Sequence, residues 1–213
     1  MGNTAGLVLA AGAGRRFGQP KALVEYDGRS LLDRAVATLR DGGCRQVLAV
    51  LGAGAEQALS AATEAFTPVV NRRWGQGLST SLKAGLAAVP SRYDGVVVTL
   101  VDQPRIEAEA VRRLIAAAAE GATVAIATYA GRRGHPMYFA REHLDGIAAG
   151  AVGDRGPATS SPRTGTSWPR SRARATRSTS TPRPTWRRSS TRAPPSGAPG
   201  ALLPASSAVH PKR

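Results

Sequence analysis

Two rhythms of apolar residues alternate along the chain up to about residue 150. Over residues 6–10, 46–51 and 95–101 nearly every position is apolar, with no alternation to mark a wet face. Short runs of that kind predict strands buried on both sides. Between them the apolar positions recur every third or fourth residue. Leu31, Leu32, Ala35, Val36 and Leu39 line one face of a helix, opened by a capping box at Ser30-Leu31-Leu32-Asp33 and closed by Gly42-Gly43. Further helices are predicted over 55–65, over 77–88 with Leu78, Leu82 and Leu86 on one face, and over 108–119. Shorter strands are predicted over 68–70, 123–128 and 137–140. Strands and helices alternating at this spacing imply an α/β domain of three layers, with a mainly parallel sheet wrapped on both faces. Ligands of such sheets sit beyond the carboxyl ends of the strands. Gly12, Asn71, Asp102 and the 131–134 loop all follow predicted strand ends, so one edge collects the polar candidates.

Charge divides the chain in two. Its 213 residues carry a formal charge of +15, which alone suggests a nucleic-acid binder. Residues 1–154 hold 17 of the Lys and Arg and all 14 Asp and Glu, so the folded candidate is nearly neutral. Residues 155–213 hold the other 12 basic residues, no acid and 10 of the 15 prolines. A segment so poor in aliphatic residues cannot offset its ordering entropy, and it predicts a disordered basic tail after a domain at 4–154. Cys44 is the only cysteine, which excludes an intrachain disulfide and fits a small loop or core residue better than a nucleophile. No signal peptide, lipidation motif or membrane-length apolar run is present, so the expectation is a cytoplasmic protein without a membrane partner.

The chemistry begins where the first strand ends. Leu9-Ala10-Ala11-Gly12-Ala13-Gly14-Arg15-Arg16-Phe17-Gly18-Gln19-Pro20-Lys21 sets three glycines among two arginines and a lysine. Gly12, Gly14 and Gly18 let a turning backbone bring its N–H groups to a ligand, and Arg16 and Lys21 bring positive charge where a polyphosphate would lie. The stretch lacks the third glycine of the dinucleotide fingerprint and the Gly-Lys-Ser/Thr of a P-loop. Asp102 ends the 95–101 strand: it is either a magnesium ligand or the cap of the next helix. Asn71-Arg72-Arg73-Trp74-Gly75-Gln76-Gly77-Leu78-Ser79-Thr80-Ser81 runs from a strand end into a helix start, whose amides are expected to be free for an anion. Ordinary helix-start chemistry would equally account for Ser79 and Ser81, and loop packing for Trp74. Gly131-Arg132-Arg133-Gly134-His135-Pro136 reads as a preorganised loop for an anionic acceptor, against a plain structural role for His135.

The first stretch resembles the signature of the MobA-like nucleoside triphosphate transferases, Leu-Ala-Ala/Gly-Gly-x-x-x-Arg-Met-Gly-x-x-Lys, with Phe17 in place of Met. The second resembles the family's Asn-x-x-Trp-x-x-Gly-x-x-x-Ser segment, completed by Gly85, and Asp102-Gln103-Pro104 its metal-binding Asp-x-Pro. The resemblance implies a Rossmann-like nucleotidyltransferase domain. It implies that Arg16, Lys21 and Asp102 carry catalysis, with Asp102 holding Mg²⁺. Ala10, Ala11, Gly12, Gly14, Gly18, Asn71, Gly77 and Ser81 would bind the nucleotide. Gly-His-Pro is a recurring motif of the molybdenum cofactor cytidylyltransferases, which implies that Arg133, Gly134, His135 and Pro136 face a molybdopterin-type acceptor. Ala-Ala-Gly goes with CTP in the family and Ala-Gly-Gly with GTP, so Ala10-Ala11-Gly12 points to CTP. The implied activity is transfer of CMP from Mg-CTP to the molybdenum cofactor with release of pyrophosphate, for a recipient molybdoenzyme or its chaperone. A GTP- or sugar-phosphate-dependent transferase, a nucleic-acid binder working through the tail, and an inactive nucleotide-binding remnant are the alternatives.

The tail departs from this pattern. The family continues with Gly-Asp-x-Gly-Ala-Arg and closes on Asp-Ile/Val-Asp-Thr-Pro-x-Asp, which carries a second metal-binding aspartate. Here Gly153-Asp154-Arg155-Gly156 begins the first motif and the match stops at Pro157. Take Ser178-Thr179-Ser180-Thr181-Pro182-Arg183-Pro184-Thr185-Trp186-Arg187-Arg188 as codons with free third bases. Read one base earlier, they permit Asp-Val-Asp-Thr-Pro-Ala-Asp-Leu-Ala-Ala. A reading frame displaced near Gly156-Pro157 therefore accounts for both the basic tail and the missing motif.

Overall fold

The structure, a computed structural model, describes residues 3–153. The expected tail and displaced frame lie outside the described residues. Strands β1 (Thr4–Leu9), β4 (Gln46–Leu51), β5 (Thr67–Val70), β6 (Gly95–Leu100), β7 (Val124–Tyr129) and β8 (Arg132–Ala140) form one sheet, and β2 (Glu25–Tyr26) and β3 (Arg29–Ser30) form a small hairpin. The helices are α1 (Leu31–Asp41), α2 (Ala55–Ala61), α3 (Leu78–Ala87), α4 (Ala108–Ala119) and α5 (Leu144–Gly150).

Strand order is β5-β4-β1-β6-β8-β7. β5, β4, β1 and β6 are parallel, and β8 runs antiparallel to both β6 and β7. The uniformly apolar strands serve two cores at once, because successive side chains point to opposite faces. Val8 of β1 and Ala10 just after it join Val36, Leu39, Val111 and Leu114 under α1 and α4. Ala5, Leu7 and Leu9 join Leu82, Leu86 and Leu144 under α3 and α5. Each fully buried aliphatic side chain contributes about 1.5–3 kcal/mol over an exposed one; the polar residues these strands do bury, Thr4 and Thr99, are small.

Three expectations need correction. The helix predicted over 55–65 stops at Ala61, and Ala62 turns extended. The cause is Asp33, whose Oδ1 accepts the amides of Thr63 and Glu64, both at 2.9 Å, and draws the chain off the helix axis. Only half the capping box forms for the same reason. Ser30 Oγ accepts the Asp33 amide at 3.0 Å, but the Asp33 carboxylate is committed to the Ser30 hydroxyl and the 63–64 backbone. Finally, the short strand predicted over 137–140 begins at Arg132, so 131–134 belongs to a hairpin rather than an open loop. Ala130 and Gly131, with φ of 49° and 77°, make its turn. The sequence reading also passed over the β2–β3 hairpin, although Asp27-Gly28 is a strong two-residue turn signal and both residues have positive φ.

Candidate active site

Beyond β1 the chain folds back on itself. Phe17 N donates to Gly14 O at 2.7 Å and Lys21 N to Gly12 O at 3.2 Å. Gly14 has φ +61°, and a Cβ there would lie 2.0 Å from the Gln19 carbonyl oxygen, so no other residue closes this turn. Gly12 differs: it is exposed, and a Cβ would meet only the Lys21 side chain, its Cδ at 3.6 Å and its Cε at 3.9 Å. The chain's own packing leaves that space open beside the lysine stem. Ala10 and Ala11 bury their methyls in the two cores, leaving their backbone at the loop. Arg16 and Gly18 are exposed.

A second glycine loop braces this one, and the sequence reading missed it. After β4, Ala53 N donates to Ala11 O at 3.2 Å. A Cβ on Gly52 would stand 2.6 Å from Trp74 and 2.7 Å from Ala11 O, so Gly52 is what lets the indole close on the cradle. Gly52-Ala53-Gly54 at the end of an apolar strand was the available signal. Trp74 therefore has the packing role.

The central contact joins the segments that follow β1 and β6. Lys21 Nζ lies 2.6 Å from Asp102 Oδ2, and each side chain is about one-third exposed, at 33% and 34%. β1 and β6 are neighbours, and the chain leaves β1 toward β4 on one side but reaches β6 from β5 by crossing to the other. The pair thus sits at the point where strand order reverses, where such sheets open a crevice.

His135 lies on β8 and is 8% exposed, and its Nε2 has no hydrogen-bond partner among the described residues. Burial pushes its pKa below the usual histidine value, and the opposing charge of Asp102 does not cancel this. Burial thus favours the neutral ring, and one of its nitrogens is unspent. Tyr129 Oη donates to the His135 carbonyl at 2.9 Å, and its ring lies over Gly134, where a Cβ would come within 3.0 Å. Pro136 is buried and Arg133 exposed.

Across the sheet, Asn71 is buried and fully used. Its Nδ2 donates to Ser81 Oγ at 3.0 Å and Thr80 Oγ1 at 2.9 Å, and its Oδ1 accepts the Arg73 amide at 2.9 Å. Asn71 and Ser81 thus clamp the loop that carries Trp74 and Gly77 to the start of α3. The expectation of free amides there is corrected at Ser79, whose N–H donates to Gly153 O at 2.9 Å. Gly77, at φ 111°, makes the bend into the helix.

The exposed Arg15, Arg16, Arg72, Arg73, Arg132 and Arg133 have no carboxylate partner among the described residues, and they come from two loops and the β7–β8 hairpin at the carboxyl edge. Among the described residues no cluster of three His, Cys, Asp or Glu could hold a metal by itself. Asp102 offers one carboxylate, the usual protein share for a magnesium ion that takes its other ligands from phosphates and water. Cys44 is buried and its thiol is pushed up to about 12 by desolvation, so it is no nucleophile. No helix among the described residues is long and apolar enough to cross a membrane.

Residues 6–163 match the MobA-like NTP transferase domain, a span that runs past 154, the domain end expected above. The chain is 39% identical over 160 residues to the nicotine blue oxidoreductase of Paenarthrobacter nicotinovorans, covering 71% of this chain and 78% of that one. It is 36% identical over 104 residues to a probable molybdenum cofactor guanylyltransferase of Opitutus terrae, covering 49% of this chain and spanning 50% of that protein's length. The fold matches Rv0371c of Mycobacterium tuberculosis H37Rv with a TM-score of 0.65 and 32% identity over 73% of this chain and 79% of that one. A manganese complex of Rv0371c matches at 0.61 and 31%, over 71% and 78% of the two chains. With its α/β nucleotidyltransferase fold and its cradle at the β1–β6 switch point, the chain belongs to the MobA-like NTP transferase domain family.

Proposed function

We propose that this nucleotidyltransferase moves CMP from CTP, with Mg²⁺, to a molybdopterin-type molybdenum cofactor and releases pyrophosphate. The observation that carries the proposal is the Lys21–Asp102 pair, 2.6 Å apart beside the glycine cradle. The backbone of the cradle from Gly12 to Gly18, with Arg16 and Lys21, takes the triphosphate charge. The acceptor phosphate attacks the α-phosphorus in line, one P–O bond forms, and the α–β bond breaks to release pyrophosphate. Positioning and charge stabilisation supply the catalysis, so no protein nucleophile is needed. Asp102 is the residue that would hold Mg²⁺, which neutralises phosphate charge when bound. His135 presents its neutral Nε2 to the acceptor, flanked by Arg133, Gly134 and Pro136. The manganese complex of Rv0371c supports a divalent ion, and the Opitutus guanylyltransferase supports a molybdenum cofactor acceptor. The choice of CTP rests on Ala10-Ala11-Gly12, and a recipient molybdoenzyme is the partner the product calls for.

The test is product mass after incubation with Mg²⁺, molybdenum cofactor and each of CTP, GTP, ATP and UTP. An adduct heavier by CMP, with CTP alone, is the expected result, and no adduct with any nucleotide overturns the proposal. One observation favours a second activity: the nicotine blue oxidoreductase matches over most of its own length. Turnover of nicotine blue by the purified chain, with no nucleotidyl product, would establish that activity instead.

We further propose that the reading frame is displaced near Gly156-Pro157, at the cost of a second acidic metal ligand. Sequencing the DNA across codons 150–160 should reveal a single-base displacement. An intact frame in several independent clones would refute it.

A further inference from the structure

Asp102 must stand at a fixed place relative to Lys21, and its loop lies against a small cavity. Between β6 and α4 the loop is shaped by bonds from Val101 N to Leu9 O and from Ile106 N to Gln103 O, each 3.2 Å long. Under it lies a cavity of about 10 Å³, lined by Thr38, Thr99, Gln103, Pro104 and Ile106 among others. That is room for about one water molecule, not for a side chain.

Arg34 bridges this gap. It lies one turn into α1, and its Nε donates to Pro104 O, two residues past Asp102, at 2.8 Å. Its guanidinium carbon stands 5.1 Å from the centroid of the Tyr26 ring. Tyr26 belongs to β2, which follows directly on the Lys21–Leu23 turn, and Leu31 N ties the start of α1 to Val24 O at 2.8 Å. One guanidinium thus touches the segment that carries Lys21 and the segment that carries Asp102.

We propose that Arg34 is a positioning residue that sets the Asp102 loop against Lys21. The proposal rests on the reading of Asp102 and Lys21 as the metal- and phosphate-binding pair. Arg34 touches no reacting atom and acts through the Pro104 carbonyl. A planar guanidinium can stack on Tyr26 and donate to a carbonyl at once, which a lysine ammonium cannot.

The test is Mn²⁺ affinity in the presence of CTP, read from the paramagnetic resonance of free Mn²⁺, on wild type, Arg34→Met and Arg34→Lys. Metal-free CTP affinity and melting temperature are measured on the same samples. Arg34→Met should weaken Mn²⁺ binding by about tenfold, the usual order for losing an outer-shell support, with metal-free CTP affinity unchanged. Arg34→Lys should fall between. A purely structural role would lower the melting temperature and leave the Mn²⁺ affinity of the folded protein where it was. That result, or an equal loss of metal-free CTP affinity, overturns the proposal. If Arg34→Met does not fold, Arg34→Lys carries the test. Wild type that binds no CTP would bring down the nucleotide site itself. Wild-type binding with unaltered variants would bring down the role of Arg34 alone.

Discussion

Lys21 and Asp102 neutralise each other across 2.6 Å, and both are exposed enough that the pair contributes only about 1 kcal/mol to the fold. Its significance is chemical. Lys21→Met should leave the melting temperature nearly unchanged while weakening CTP binding about tenfold to a hundredfold, the range for a charge-assisted bond to phosphate. Calorimetric titration checks this, and unaltered affinity would remove Lys21 from the site. His135 gives a pH signature. Its folded pKa is depressed by burial, so the unfolded chain binds more protons below the unperturbed value of about 6.5. This residue's effect on stability is absent above that pH and destabilising as pH falls through it toward the folded pKa. Denaturant titrations of His135→Gln should lose that part of the slope, and an identical pH dependence would contradict it. At this scale the sequence was informative about types and positions. The glycines, Lys21 and Asp102 could be read because they stand in the segments that follow buried strands, each with a distinct chemistry. That Ser81 would turn inward to Asn71, and that Gly52 would admit Trp74, depends on contacts between distant loops that periodicity does not encode.

Among the elements, one side chain explains both places where a helix departs from its pattern. Asp33 is 3% exposed. Burial works against its charge, but the amides of Glu64 and Thr63 and the Ser30 hydroxyl outweigh it and hold its carboxyl below the usual range. Asp33→Ala should cost about 3 kcal/mol, because it removes charge-assisted bonds and leaves two amides in the 63–64 turn without their acceptor. The stabilisation from Asp33 is present above the unfolded carboxylate pKa of about 4 and is lost as pH falls through the lower folded value. Chemical denaturation of both proteins at pH 7 and pH 3 should show the gap narrowing in acid, and a constant gap would contradict the sign. The end of α2 was not legible for the same reason: 55–65 keeps helical spacing, and the acceptor that ends the helix lies 30 residues earlier. α4, by contrast, was read to the residue: it ends at Ala119, and the turn through Gly121, at φ 96°, closes it with local bonds.

Over the whole molecule, the strand–helix alternation dictated the architecture. The almost wholly apolar strands demanded cover on both faces, and the four parallel strands supply the edge on which the site is built. The antiparallel return of β8 was harder to see, because its first residues are Arg132, Arg133 and Gly134, chemically a loop until β7 pairs with them. That return is what carries His135 to the carboxyl edge of the sheet, where the charge of Asp102 reaches it. The most direct test of this account is pyrophosphate release from Mg-CTP and molybdenum cofactor by wild type and by Asp102→Asn. The account predicts release by wild type and a loss of about a hundredfold or more in the variant, with CTP still bound. Equal rates in the two proteins, or release by neither with any nucleotide, would contradict it.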